Sequence, residues 1–390
     1  MSQVQSTLFD PIDDTPGPQD DYEDPEYLSR QLITYIGNKR GLGKHLAKAI
    51  AEVRSEVGGR KLSSVDLFSG SGFVSRFLKQ HSTTLIANDL ESYSSQINKC
   101  FLTNRDAASF AKLDSIVAKL NAAADLGAAH PGFIRELYSP ADDSDIQPGE
   151  RAFYTNDNAR RLDFFAQELM SLREDHRTLL LGPLLSRASM HANTSGVFKG
   201  FYKDKNTGIG KFGGAAGDAL KRILEPIRLE VPVLSRFHAD SEVLRGDANK
   251  VVSQLPAHDL VYVDPPYNQH PYGSNYFMLN LITNYERPEN CSDVSGIPTN
   301  WQRSGFNVRK RAFELLTDII RTAPARFILV SFNAEGFVST KQLRDEMETH
   351  GTVKEVVIPY NTFRGSRNLQ GRDIHVNEHL FLLDRHRKVN

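Results

Sequence analysis

Cysteine is almost missing from this chain: Cys100 and Cys291 are the only two among 390 residues, and neither has a second thiol near it in sequence. A disulfide scaffold and a Cys-rich zinc site are therefore excluded, and both thiols read as reduced, structural residues. Long apolar runs are missing too. None approaches the roughly 18 residues that span a bilayer, and the N-terminus has no basic-then-apolar signal pattern. Membrane and secretory classes fall away, and the cytoplasm is the expected compartment. Lysine and arginine are absent from the first 29 residues, which carry eight acidic ones. An acidic, Pro-containing stretch of this kind cannot bury enough apolar surface to order itself, so residues 1–29 are predicted to form a disordered tail.

The rest is ordinary globular sequence, with 39% hydrophobic and 24% charged residues over the whole chain. At roughly 150 residues per domain, the length predicts two or three domains, or one core with a large insertion. Without the tail, the net charge of -1 becomes an excess of 47 basic over 40 acidic residues. A mildly basic body suits a polyanionic partner.

Hydrophobic periodicity gives the order of elements. A Gly-containing turn at Tyr35-Ile-Gly-Asn-Lys feeds a helix over Ala47 to Val57. Ser64-Val-Asp-Leu-Phe-Ser-Gly-Ser-Gly reads as a strand, a Gly-rich turn and a helix start, and Thr84 to Asp89 as the next strand, which together open a doubly wound sheet. Further strands are predicted at Glu242 to Gly246, Asp259 to Val263, Arg326 to Phe332, Val353 to Pro359 and His379 to Leu383, with helices at Val308 to Thr322 and Val338 to Thr349. Three βα units of about 30 residues should separate the first strand from the fourth by about 90, but Asp66 and Asp264 lie 198 apart. The excess marks an insertion, with helices predicted at Asp157 to Leu172 and Ala215 to Arg228 around a loop-rich stretch. The resulting division is 1–29 tail, 30–100 core, 101–240 insertion and 241–390 core.

Two absences narrow the chemistry. Gly-x-x-x-x-Gly-Lys-Ser/Thr does not occur, which disfavours a nucleoside triphosphate. The third glycine of a dinucleotide fingerprint is replaced by Val74. Asp66-Leu-Phe-Ser-Gly-Ser-Gly is then a turn in which glycines let the backbone approach an adenosine-type ligand, and the alternative is a tight turn that binds nothing. Asp89, ending the next strand, can accept from both ribose hydroxyls and favours the ligand. Asp247 can accept from an adenine amino group or cap the helix that follows. In Leu260-Val-Tyr-Val-Asp-Pro-Pro-Tyr, two prolines fix the backbone and remove two donors. The Asp264 carboxylate and Pro265 carbonyl are thus left as acceptors beside the Tyr267 ring, an arrangement suited to a planar group bearing an amine.

Tyr35-Ile-Gly-Asn-Lys, Asp66-Leu-Phe-Ser-Gly-Ser-Gly and Asp264-Pro-Pro-Tyr, in that order, resemble the alpha group of S-adenosylmethionine-dependent DNA adenine-N6 methyltransferases, which includes Dam-like enzymes and type II restriction-system methylases. The resemblance implies a Rossmann-like methyltransferase sheet with helices on both faces and an inserted, mainly helical and loop-rich target recognition domain. It implies S-adenosylmethionine as cofactor, with Tyr35 and Lys39 at its amino-acid end, Phe68, Gly70 and Gly72 as its backbone cradle, Asp89 at its ribose and Asp247 at its adenine. Asp66 and Asp264 join the candidate cofactor contacts. Asp264, Pro265, Pro266 and Tyr267 are the candidate catalytic residues around a flipped target base. Where some relatives carry Arg-Gln before the tyrosine that follows, this chain has His270 and Pro271.

The implied chemistry explains these residue types. An adenine amine is a poor nucleophile because its lone pair is delocalised, so acceptors must draw its hydrogens out of plane. The sulfonium methyl is already activated, and the reaction calls for positioning and charge stabilisation, with no metal expected. Base flipping is needed because the amine is buried in a duplex. Three basic stretches fit double-stranded DNA: Arg187 to Lys211, with Arg187, Lys199, Lys203, Lys205 and Lys211 among Phe198, Phe201, Tyr202 and Phe212; Arg303 to Arg311; and Tyr360 to Arg372, with Arg364, Arg367 and Arg372. Glycines at 208, 210, 213 and 214 make the first a flexible loop. A cognate restriction endonuclease is a further candidate partner, and monomer and dimer are both compatible. The competing readings are a cytosine-N4 DNA methyltransferase, an RNA adenine methyltransferase and a DNA-binding protein with a dead methyltransferase core.

Overall fold

The computed structural model describes residues 22–214, 217–333, 336–361 and 375–386. Seven strands form one sheet: β1 Leu62–Asp66, β2 Ser82–Asp89, β3 Asp240–Arg245, β4 His258–Val263, β5 Ala325–Asn333, β6 Thr352–Asn361 and β7 His375–Asp384. Their spatial order is β3-β2-β1-β4-β5-β7-β6. The first five run parallel, and β7 enters antiparallel between β5 and β6. This is the α/β sheet expected from the sequence. The order turns back at β1, which lies between β2 and β4, so the chain crosses over both ways there. A crevice forms at such a switch point, outside the C-terminal strand ends.

Both faces of the sheet are covered, and this is why its central strands are nearly continuous apolar runs. Leu62, Leu85, Leu260, Tyr262, Phe327 and Leu329 point to one layer, packed by helices Gly43–Glu56, Phe73–Lys79 and Ser92–Leu102. Val65, Ile86, Val261, Val263, Ile328 and Val330 point to the other, packed by helices Ala248–Val252, Arg309–Thr322 and Thr340–Glu348. The alternation follows from the two-residue period of a strand.

Between β2 and β3 the chain adds helices Phe110–Asp125, Phe133–Tyr138, Asn156–Met170, Glu174–Met190 and Leu220–Leu224. Their apolar residues, among them Leu113, Phe165 and Leu184, join the same hydrophobic cluster as the first face of the sheet. Helix Glu174–Met190 is buried at every position from Leu179 to Ser186, as expected of a helix apolar on all sides. It lies against Ser92–Leu102, where a Cβ on Gly182 would sit 2.7 Å from the Cβ and Sγ of Cys100. Among the described residues no helix is long and apolar enough to cross a membrane.

Two expectations are corrected. The helix predicted over Ala215 to Arg228 shrinks to Leu220–Leu224, because Pro226 forces the preceding Glu225 out of the helical region, to φ -61 and ψ 131; residues 215–216 lie outside the described residues. The predicted tail also ends earlier. Asp24 caps a short helix, Pro25–Ser29, whose Tyr27 is 1% exposed. The Tyr27 hydroxyl donates to the Phe101 carbonyl at 2.6 Å, and the Arg76 guanidinium donates to the Tyr27 carbonyl. Average composition hid these two apolar anchors, Tyr27 and Leu28, inside an acidic window.

The close approach at Gly182 gives a direct test of the helix crossing. Gly182→Val should lower unfolding free energy in urea by about 1–3 kcal/mol through overpacking. Gly200→Ala, with nothing within 4 Å of its added methyl, should stay within about 0.5 kcal/mol of the parent.

Candidate active site

The turn after β1 is built on backbone that only glycine adopts easily: Gly70 has φ 51 and Gly72 φ 77. Gly72 caps helix Phe73–Lys79. Gly70 donates its N–H to Asp89 Oδ2 at 2.8 Å, while Asp89 Oδ1 accepts from Glu91 N at 2.9 Å. The carboxylate ending β2 thus fixes the turn after β1. Burial pushes the Asp89 carboxyl up, and the N–H donors act against that shift.

A cleft of about 760 Å³ opens over these strand ends. It brings together Tyr35, Lys39, Phe68, Gly70, Asp89, Asp247, Asp264, Pro265, Pro266 and Tyr267, ten positions singled out from sequence. Two others sit behind it. Asp66 is fully buried, with Oδ2 accepting from Ser75 Oγ at 2.6 Å, and burial pushes its carboxyl up to about 7. Gly72 shapes the turn from below. Asp247 does both things its position allows, lining the cleft while accepting from Asn249 N and Lys250 N as the cap of Ala248–Val252.

The floor of the cleft is a buried charge cluster. Lys39 is 6% exposed, and its Nζ lies 2.6 Å from Glu378 Oε1 and 3.2 Å from Asp264 Oδ1. Burial alone would lower the lysine, but the two carboxylates outweigh it and hold the ammonium well above its ordinary value. Asp264 is pushed up to about 7 by burial, with Lys39 pulling down and Glu378 pushing further up. Glu378 is in turn held by Ser331 Oγ at 3.3 Å and Asn333 Nδ2 at 3.1 Å, both from β5.

An aromatic seam joins the two halves of the site. Tyr35, Tyr272 and Tyr276 form a three-ring cluster, with Tyr35 5.0 and 4.9 Å from the other two centroids and those two 5.9 Å apart. Ile36 N–H donates to Tyr276 Oη at 2.7 Å, and Tyr272 Oη donates to the Ile36 carbonyl at 3.1 Å. Tyr35 also lies on Gly70 so closely that a Cβ there would be 2.8 Å from its ring. On the opposite wall, Phe68 meets Phe306 edge-on at 5.3 Å, and Asn307 Nδ2 donates to the Asn268 carbonyl at 2.7 Å.

Sequence reasoning missed Glu91, Tyr272, Phe306, Asn307 and Glu378. Glu91 lines the cleft, accepts from Asn280 Nδ2 at 2.6 Å and is pushed up to about 7 by burial. Its only signal was its place two residues after Asp89. Glu378 had a better one, a charge at the head of an apolar strand.

The basic stretches divide. Lys199, Lys203, Lys205 and Lys211 are all exposed, and Lys199 Nζ comes within 3.4 Å of His270 Nδ1, beside the Asp264–Tyr267 turn. The interleaved Phe198 and Phe201 are core residues, 2% and 6% exposed, that anchor this loop against Phe153. Arg187 is paired with Glu230, which Arg30 shares. Arg303 to Arg311 borders the cleft, which Ser304, Phe306 and Asn307 line, while Arg309 sits over the Phe337 ring at 4.9 Å. Arg364, Arg367 and Arg372 lie outside the described residues.

Against known proteins, a family model described as D12 class N6 adenine-specific DNA methyltransferase matches residues 35–302. The type II methyltransferase M.NlaIII of Neisseria lactamica is 28% identical over 347 residues, covering 86% of this chain and 93% of that protein. M.CviAII of Paramecium bursaria Chlorella virus 1 is 28% identical over 360 residues, covering 90% and 98%. M.FokI of Planomicrobium okeanokoites is 25% identical over 366 residues, covering 90% of this chain and 53% of the relative.

The charge cluster makes a stability test. Lys39→Met leaves buried Glu378 and half-buried Asp264 without their cation, and should cost about 3–5 kcal/mol in urea unfolding at about pH 8. The Asp264 carboxyl, already raised by burial, would lose the cation that pulls it down, so the penalty should shrink as pH falls through its raised value and the folded form takes up a proton. A penalty independent of pH would speak against the cluster.

Proposed function

This chain belongs to the D12 class of N6 adenine-specific DNA methyltransferases, and we propose that the cleft at the ends of β1, β2 and β4 is where its cofactor and its target base meet. The enzyme moves a methyl group from S-adenosylmethionine to the exocyclic N6 amine of adenine in DNA. That membership selects among the competing readings: cytosine-N4 and RNA transfer and a dead core all give way to adenine in DNA.

The cleft fits the cofactor on its own features. Its lining carries the carboxyls of Asp89, Glu91, Asp247 and Asp264, while the Lys39 ammonium is matched by two carboxylates. Such a lining suits a cationic ligand. S-adenosylmethionine brings an activated methyl on a positively charged sulfur. Asp89 would hold the ribose hydroxyls, Asp247 the adenine amino group, Phe68 and the Gly70 backbone the adenosyl body, and Tyr35 the amino-acid end. Asp66 and Gly72 support this cradle from behind. Lys39, committed to Asp264 and Glu378, serves as their counter-ion more than as a cofactor contact.

At the target, the Asp264 carboxylate and the Pro265 carbonyl accept the two amine hydrogens and localise the nitrogen lone pair. Pro265 and Pro266 have no N–H to compete for those acceptors. The negative charge of Asp264 also stabilises the positive charge that grows on nitrogen, in a water-poor site where such a preorganised group is most effective. Tyr267 offers a stacking surface worth about 1–3 kcal/mol to a base turned out of the duplex. The observation that carries this reading is that half-buried Asp264 lines the same cleft as Asp89, with its own cation behind it.

Lys199 beside His270 supports a DNA path along the surface lysines of 199–211 and into the cleft, with the insertion as target recognition domain. The relatives' names, type II methyltransferases, support pairing with a restriction endonuclease of the same site specificity.

Asp264→Ala should lower methyl transfer by about 10²–10³-fold, read as N6-methyladenine by mass spectrometry of digested DNA. Calorimetric affinity for S-adenosylmethionine should stay near the parent's. Asp89→Ala should do the reverse, losing cofactor affinity first. Replacing Lys199, Lys203 and Lys205 together by Ala should flatten the dependence of log K for DNA on log salt by about 0.9 for each phosphate that is no longer neutralised. An unchanged slope would move the DNA path elsewhere on the surface.

A further inference from the structure

We propose that Glu378, on the antiparallel strand β7, is a positioning residue for methyl transfer: it holds the Lys39 ammonium from behind and so sets how the Asp264 carboxylate is presented to the target amine. The inference rests on the reading of Asp264 as the acceptor for that amine.

The geometry is that of a chain of restraint. Glu378 lies opposite Asn333 in the β5–β7 ladder and opposite Ile358 in the β6–β7 ladder, so its backbone is fixed on both sides. Its Oε2 accepts from Asn333 Nδ2 and its Oε1 from Ser331 Oγ, which aims Oε1 at Lys39. Glu378 takes the shorter contact, 2.6 Å, and leaves Asp264 the longer one, 3.2 Å. With Glu378 in place, the lysine is drawn away from full pairing with Asp264, whose carboxylate stays available for the amine.

Stability does not account for this arrangement. A lone Lys39–Asp264 pair would be neutral, whereas adding Glu378 gives a buried cluster with one excess negative charge, and desolvating a further carboxylate costs free energy. The excess charge does have a use at this spot, since it complements the positive charge that grows on the adenine nitrogen. Other ionisable groups around the cluster are Tyr262 on β4, Asp66 on β1, Tyr267 and Tyr272 beyond β4, and His379 on β7, whose Nδ1 is 2.6 Å from Glu355 Oε1 of β6. Among the described residues, Lys39 and Glu378 are the charged groups that act most strongly on Asp264.

The test is methyl transfer by the full chain to unmethylated genomic DNA with S-adenosylmethionine, followed from about pH 5.5 to 9 by mass spectrometry of N6-methyladenine. Glu378→Gln keeps the size of the side chain and removes its charge. It should lower kcat by about tenfold to a hundredfold, the scale of a misplaced catalytic group, while KM for DNA and affinity for cofactor change little. It should also move the acid limb of kcat/KM to lower pH, because Asp264 loses a repelling neighbour. Lys39→Met should move that limb the other way. Should Glu378→Gln fail to fold by thermal melting, Asn333→Ala loosens Glu378 without altering the charge, and should lower kcat in the same direction with KM unchanged. Parental kcat and an unmoved acid limb in Glu378→Gln, or parental kcat in Asn333→Ala where that variant stands in, would overturn the inference. Asp264→Ala separates the two layers: an active Asp264→Ala removes the reading of Asp264 itself, whereas an inactive one beside a silent Glu378→Gln removes only the role of Glu378.

Discussion

Lys39 buries one ammonium between carboxylates drawn from the far reaches of the chain. Glu378 is 339 residues away in sequence, and Asp264 directly follows β4, between them. Removing an ion from water costs several kcal/mol even after relaxation, so this charge can be accommodated only if both carboxylates arrive. They arrive only if β4 lies next to β5, and β7 next to β5 in turn. The sheet order and the antiparallel insertion of β7 are thus what make the floor of the cleft possible. In return the cluster pins the turn after Gly37 against the strand ends.

The other walls follow from that placement. With Lys39 fixed, Tyr35 four residues earlier must lie over the Gly-rich turn, and the missing Cβ of Gly70 is what lets its ring come so close. The same ring stacks on Tyr272 and Tyr276, which follow the Asp264–Tyr267 turn by a few residues. The side of the cleft assigned to cofactor and the side assigned to the target base therefore share one aromatic seam.

Much of this could be read in advance, for stated reasons. Strand-end acids and Gly-rich turns are local signals, and Asp89, Asp247, Asp264 and Gly70 all reach the cleft. The long interval between Asp66 and Asp264 is filled largely by the additional helices between β2 and β3. What stayed hidden was long-range or averaged. Glu378 acquires its meaning only through the register of β7 on β5, and Glu91 through its hydrogen bond with Asn280. Phe198 and Phe201 were grouped with the lysines of a stretch that fits DNA, whereas they fasten the loop to the core and leave the lysines outside. Tyr27 and Leu28 were lost in the acidity of their neighbours. The helix expected through Arg228 failed on a single proline, a signal that was available and was outweighed by apolar periodicity.

The position of the target amine decides whether Asp264 and Pro265 act as its acceptors. A crystal structure of the protein with S-adenosylhomocysteine and a DNA duplex containing its site measures this directly. The expected result is an adenine outside the helix, its N6 about 2.7–3.2 Å from the Asp264 carboxylate and the Pro265 carbonyl, with the ribose of the bound nucleoside at Asp89. An adenine whose amine is held by other groups, with Asp264 still closed on Lys39 and turned from the base, would contradict it.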